Sequence, residues 1–116
     1  MYFGSPDVLE KGSTALHKDA TSACNILVYA GASKVGQKLG AEWLIFSRED
    51  TKSLSEYLRI HAPRLGADGK DPCHAGQIYL DDNMLLGMKK AGIRPFRIHQ
   101  LPGQAVFIPA GCAHQV

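Results

Sequence analysis

The hydrophobic period of this chain changes from two to 3.6 and back again, and that single excursion constrains the fold more than any other feature. Before residue 47 and after residue 95, apolar residues come in short runs rich in β-branched and aromatic types, bounded by glycine, proline and small polar residues. "TALHKD", "ACNILVYAG" and "WLIFS" (43–47) read as strands on the first side. "RPFRIHQ" and "QAVFIPA", joined by the turn "LPGQ", read as strands on the second, with "GCAHQV" entering another. Between them, "EDTKSLSEYLRIH" places Leu54, Tyr57, Leu58 and His61 at i, i+3, i+4 and i+7. That stripe predicts a helix over 51–61, capped by Asp50 or Thr51 and stopped before Pro63. "DDNMLLGMKKA" predicts a second helix over 81–91, with acids at its start, lysines at its end and Gly92 just beyond. Residues 32–42 and "PRLGADGKDP" read as loops. Strands, one helical block and strands again is not the regular alternation of a doubly wound sheet. It predicts a mainly β fold, an antiparallel barrel or sandwich with a helical insertion.

The chain's size and composition fit one small domain over 1–116. A chain of 116 residues can bury one modest core. A formal net charge of +2 points to no sequence-specific nucleic-acid contact and to no anionic surface. "MYFGSPDVLEKG" lacks the basic-then-apolar pattern of a secretory signal, and no apolar run approaches the length of a membrane span. Cys24, Cys73 and Cys112 are odd in number and widely spaced, which argues against a disulfide framework and fits a reducing compartment.

The chemistry-bearing feature is His17-Lys18-Asp19, just before an apolar run. In an extended segment, residues i and i+2 share a face, so His17 and Asp19 can project into one cavity while Lys18 faces away. With five histidines and eleven acids, such a pair is a common accident, and from spacing alone a polar strand face is the plainer reading. One imidazole and one carboxylate also under-coordinate a metal. A two-histidine, one-carboxylate triad needs a second histidine and leaves positions open for co-substrate and oxygen. His61, His74, His99 and His114 are available. His114, after a strong strand and a "PAG" turn, is the best placed. His61 sits at a helix end, His99 within a strand and His74 in a loop. Cys73-His74 with Cys112-x-His114 is a zinc alternative, but it lacks the tight cysteine pairs of structural zinc sites.

Four segments then occur in a telling order: "LHKDATSACNILVYAG", "EWLIFSREDTKSLSEYLR", "DPCHAGQIYLD" and "LPGQAVFIPAGCAHQV". Together they resemble the JmjC (Jumonji-C) domain of the branch that demethylates lysine nine of histone H3 and includes Hairless-like proteins. The resemblance runs with gaps from about Gly12 to Val116. It implies a cupin-type double-stranded β-helix. It makes His17, Asp19 and His114 the ligands of iron(II), with no catalytic residue beyond them. It also implies 2-oxoglutarate and dioxygen as co-substrates. Thr14 matches a threonine that contacts 2-oxoglutarate in several relatives, Lys34 follows His17 at close to the spacing of their co-substrate lysine, and Asn25 is placed to add an amide from the adjoining strand; a β-forming threonine and a solvated loop lysine are the plain readings of Thr14 and Lys34. The implied reaction is oxidation of an N-methyl group with release of formaldehyde and succinate. The implied partners are a histone tail peptide and chromatin proteins, in the nucleus. A 2-oxoglutarate-dependent protein hydroxylase and a non-catalytic, chromatin-binding co-repressor module are alternatives within the same resemblance. The family continues through further strands after the position of His114, so the barrel is expected to be incomplete at the C-terminus.

Overall fold

A computed structural model describes residues 14–28, 40–66, 69–74 and 78–116. Its elements are β1 (Ala23–Ile26), β2 (Ala41–Ile45), α1 (Arg48–His61), α2 (Asp82–Lys90), β3 (Phe96–Gln100), β4 (Ala105–Ile108) and β5 (His114–Gln115). Short 3-10 turns occupy Pro63–Gly66 and Pro72–His74, within the stretch read from sequence as plain loop.

Every strand pairing is antiparallel. β1 pairs with β4, with Asn25 opposite Val106 and Ala23 opposite Ile108. A second sheet runs β3-β2-β5, with Trp43 opposite Ile98 and Ile45 opposite both Phe96 and His114. An isolated bridge between His17 and His114 extends that sheet past β5.

β2 is the strand around which the rest is arranged, because both of its faces are covered. Alternation sends Leu44 one way and Trp43 and Ile45 the other. Leu44, with Phe46 just past the strand end, joins Leu54, Leu58, Leu85, Met88 and other residues in a core roofed by α1 and α2. Trp43 and Ile45 join Val106, Ile108 and Cys112 in a smaller core between the two sheets. Burial on both faces is why "WLIF" reads as a continuous apolar run rather than an alternating one.

Local chemistry sets the element ends. α1 begins three residues earlier than its apolar stripe predicts, because the Ser47 hydroxyl accepts the Asp50 N–H at 3.0 Å and caps the helix. Asp50 and Thr51 therefore lie inside the first turn. The Thr51 hydroxyl is used elsewhere, accepting the Ala113 N–H at 2.9 Å. α2 follows expectation: the Asp81 carboxylate accepts the Met84 N–H at 2.8 Å, and Gly92 takes φ 83° just past the end. The turn Leu101–Gln104 carries Pro102 and a Gly103 at φ 85°, the positions at which a type II turn uses them.

A buried amide bridges the two sheets at one end. The Trp43 indole N–H donates to Gln100 Oε1 at 2.9 Å. Gln100 Nε2 in turn donates to the Asn25 carbonyl, the Asn25 side-chain oxygen and the Gln104 carbonyl. Gln100 is 1% exposed, so these contacts replace water that it cannot reach.

Candidate metal centre

The segment carrying His17 is less regular than the strand read from sequence. Thr14 and Val116 exchange backbone hydrogen bonds, and so do His17 and His114. Between these pairs, Ala15 and Leu16 face only Gln115, a bulge of two residues against one. The cause is Leu16. Its side chain is wholly buried in the helix-side core, and its N–H donates to the Ile78 carbonyl at 2.8 Å.

The turn preceding β5 is held from three directions. Arg48 donates to the Ala110 carbonyl at 2.8 Å, and the Ser22 hydroxyl accepts the Ala110 N–H at 3.0 Å. The Gly111 N–H donates to the Asp19 carbonyl at 2.9 Å. Gly111 sits at φ 76°, a conformation that glycine adopts without a Cβ penalty. Residues 17 and 19 are thereby tied by backbone bonds to residues 114 and 111.

Across 97 residues of sequence, His17, Asp19 and His114 converge, each offering a ligand atom, all within 4.8 Å of one another. Asp19 Oδ2 lies 3.7 Å from His17 Nε2 and 3.8 Å from His114 Nε2. Those separations are too long for hydrogen bonds and short enough for one ion to touch all three. The two imidazole centroids are 4.2 Å apart.

Backbone carbonyls decide which ring nitrogen is available. His17 Nδ1 is 2.9 Å from the Ala15 carbonyl oxygen, and His114 Nδ1 is 3.0 Å from that of Cys112. A carbonyl only accepts, so each Nδ1 carries a hydrogen, and in the neutral ring Nε2 is the nitrogen left to bind, on the side of Asp19. That is the outer-sphere arrangement that orients metal-bound histidines. Burial pushes the His114 pKa below its ordinary value, against the raising effects of the Cys112 carbonyl and Asp19, which favours the neutral imidazole. Trp43 stacks on His114 with centroids 6.1 Å apart and helps fix the ring plane. A set of two imidazoles and a carboxylate suits a divalent first-row metal, iron(II) among them.

The other sequence candidates fall elsewhere. Thr14 is half-buried at the far end of the same ladder, opposite Val116. Asn25 is in register with inward-facing Val106, and its side-chain oxygen accepts from Gln100. Lys34 lies outside the described residues. His61 stacks on Tyr57 at the end of α1, His74 is exposed in its 3-10 turn, and His99 faces Glu42 at 3.9 Å. Cys73 and Cys112 sit in separate cores on opposite sides of β2, so the zinc alternative is not assembled.

Three contributors escape sequence reading. Trp43 and Gln100 are legible only as core residues of strands. The third is a cluster behind the His-x-Asp arm: Lys18 Nζ is 2.6 Å from Asp71 Oδ2, while Asp71 Oδ1 accepts the Ser55 hydroxyl at 2.7 Å and the Cys73 N–H at 3.0 Å. Burial alone would raise the Asp71 pKa, but the Lys18 ammonium, the Cys73 N–H and the Ser55 hydroxyl together hold it at about 2. The Asp-Pro dipeptide at 71–72 was the one available signal, since it marks a turn.

A cavity of about 490 Å³ lies near the same turn, walled by Ile45, Phe46, Ser47, Arg48, Phe96, Ile98, Phe107, Pro109 and Cys112; His17, Asp19 and His114 are not among its lining residues. Ile45 and Cys112 flank His114, by register and by sequence respectively.

Comparison with known proteins gives a family. A family model described as "JmjC domain, hydroxylase" matches residues 9–116. The chain is similar to lysine-specific demethylase 3A-A of Xenopus laevis, 30% identical over 97% of this chain and 11% of that protein. It is similar to lysine-specific demethylase 3 of Drosophila melanogaster, 34% identical over 98% of this chain and 17% of that protein. It is also similar to lysine-specific demethylase JMJ27 of Arabidopsis thaliana, 36% identical over 66% of this chain and 10% of that protein. The first two alignments run over 144 and 149 residues, longer than the chain's 116, so those relatives carry extra residues within the matched stretch.

Proposed function

The chain belongs to the JmjC domain family, and from that premise we propose that it carries an iron(II)- and 2-oxoglutarate-dependent oxygenase site of the lysine-demethylase type, acting on methylated lysine of a histone H3 tail in the nucleus. Its two facing antiparallel sheets are the family's cupin-like fold, and among the described residues the barrel is incomplete. The observation that carries the proposal is the convergence of His17, Asp19 and His114, with both Nε2 atoms turned to the carboxylate and both Nδ1 atoms on backbone carbonyls. The demethylase reading draws its support from the relatives' names. The chain spans 11–17% of the length of the animal relatives, so the histone substrate, chromatin partners and nuclear location belong to the proposal. Among the described residues no helix is long and apolar enough to cross a membrane.

Each residue has a role in this reading. His17, Asp19 and His114 would hold iron(II), which when bound supplies the oxidative chemistry that activates dioxygen with 2-oxoglutarate. The carbonyls of Ala15 and Cys112 keep protons on the Nδ1 atoms, so the ligand set is ready without rearrangement. Trp43 and Ile45 exclude water from the His114 side. Thr14, Asn25 and Lys34 would bind 2-oxoglutarate, whose distal carboxylate needs a cation and neutral donors once it leaves water.

Anaerobic addition of iron(II) and 2-oxoglutarate should produce a weak visible charge-transfer band that His17→Ala abolishes. A wild-type chain giving no band, with His17→Ala matching its iron affinity, would sink the reading. A second reading, hydroxylation of a protein side chain, is favoured by the "hydroxylase" in the family description. Product mass separates the two: demethylation removes about 14 mass units and releases formaldehyde, whereas hydroxylation leaves a stable gain of about 16.

A further inference from the structure

Lys18, between the two arm ligands, points away from the metal centre and reaches the best-anchored carboxylate described. Asp71 receives donors from three places: Lys18 on the ligand arm, Ser55 on α1 and the Cys73 backbone in a 3-10 turn. Ser55 is 5% exposed and Cys73 fully buried, so this anchor belongs to the packed helical side of the molecule. The arm itself is looser. Its His17 end is held by the buried Leu16 side chain, but the Asp19 side chain is 46% exposed, and beyond Leu16 the arm's other ties are backbone bonds to Ile78, to the turn before β5 and to His114.

Backbone bonds fix where an extended segment runs, but they leave it freer to roll about its own axis. Successive side chains leave such a segment on opposite faces, so holding the middle side chain stops the roll of both neighbours. Metal affinity depends on that roll, because the donors of residues 17 and 19 must meet one ion together with His114.

We infer that Lys18 is a positioning residue for the metal arm: its ion pair with Asp71 orients the His17 and Asp19 donors by anchoring the reverse face of the segment to α1 and the Pro72–His74 turn. This rests on the metal reading above. It assigns Lys18 no contact with metal or substrate.

The inference separates cleanly from a simple charge effect. Lys18→Met would leave a lone anion near the site and, through space alone, strengthen cation binding. Asp71→Asn would leave a lone cation and weaken it. Positioning predicts that both variants weaken binding. The probe is cobalt(II) alone, titrated into the full chain and read by its visible absorption. Lys18→Met and Asp71→Asn should each bind cobalt(II) about 10-fold or more weakly, the range for lost outer-sphere support. Lys18→Arg, which keeps the charge and the reach, should stay within about 3-fold of wild type. Urea unfolding of the metal-free proteins checks folding, and Asp71→Asn keeps the anchor's shape if Lys18→Met does not fold. His17→Ala is the control. If it binds as wild type does, the metal reading itself fails. If it loses cobalt(II) while Lys18→Met and Asp71→Asn bind normally, positioning fails and the metal reading stands. Tighter binding by Lys18→Met with weaker binding by Asp71→Asn also overturns positioning, in favour of charge.

Discussion

The two faces of β2 bury similar side chains and lead to different surroundings. On the helix side, Leu44 and Phe46 lie under α1 and α2, in a cluster whose Phe46, Leu54, Leu58 and Met88 are wholly inaccessible. On the sheet side, Trp43 and Ile45 lie under Val106 and Ile108, yet their β3 neighbours Phe96 and Ile98 are 65% and 37% exposed. The metal-competent residues open onto the second face. The first contributes rigidity, and it reaches the site through Thr51 to Ala113 and through Ser55 and Asp71 to Lys18. In the proposed reading, the less sealed face is the one that would admit a substrate, and the densely packed face is the rigid support behind it.

The strongest way to break this division is Phe46→Ala. It should cost about 3–5 kcal/mol of stability in urea unfolding, as truncation of a fully buried aromatic does. The matched Phe96→Ala should cost under about 1 kcal/mol, because that side chain keeps most of its exposure when folded. Equal losses would mean that the two faces are equally structural.

Gln100→Leu comes next. It leaves the buried Trp43 N–H without its acceptor, at about 1–3 kcal/mol for a buried group so orphaned, and removes the side-chain contact to Asn25 and Gln104. It should also shift Trp43 fluorescence and, through the stacked ring, weaken cobalt(II) binding at His114. Unchanged fluorescence would remove the Trp43–Gln100 hydrogen bond from the account.

A smaller effect belongs to the link between the faces. The Asp71 pKa is depressed from 3.8 to about 2 in the folded chain, so the group releases its proton more readily folded than unfolded. Its contribution is fully present above the ordinary carboxylate value and is lost as pH falls from about 4 through about 2. The stability gap between wild type and Asp71→Asn should therefore hold at neutral pH and close over that acid window. A gap independent of pH would remove the ion pair from the account. Smallest of all should be Phe107→Ser. It changes a 63% exposed ring on the outer sheet and should leave the unfolding midpoint nearly unmoved.

Much of the architecture is legible along the chain. α2 between Asp81 and Gly92, the Pro-Gly turn at 101–104 and the double-sided burial of "WLIF" depend on neighbours within a few positions. The start of α1 is misplaced because apolar periodicity begins at Leu54, whereas the cap is decided by a hydroxyl seven residues earlier. The His17 strand looks continuous because alternation cannot show that Leu16 leaves the ladder for another core.

His17-x-Asp19 was readable as half of a site from alternation alone, because a two-residue period is local backbone geometry. His114 stands out among four histidines by its place after a strand and turn and by the family resemblance. Only the tertiary structure gives the reason: an antiparallel bridge sets residues 17 and 114 side by side. It alone also shows two carbonyls setting the tautomers, Trp43 against the His114 ring, and Lys18 paired with a residue 53 positions away. Such contacts join segments that only strand pairing and core packing bring together, and no local pattern of residues encodes a distance across a sheet.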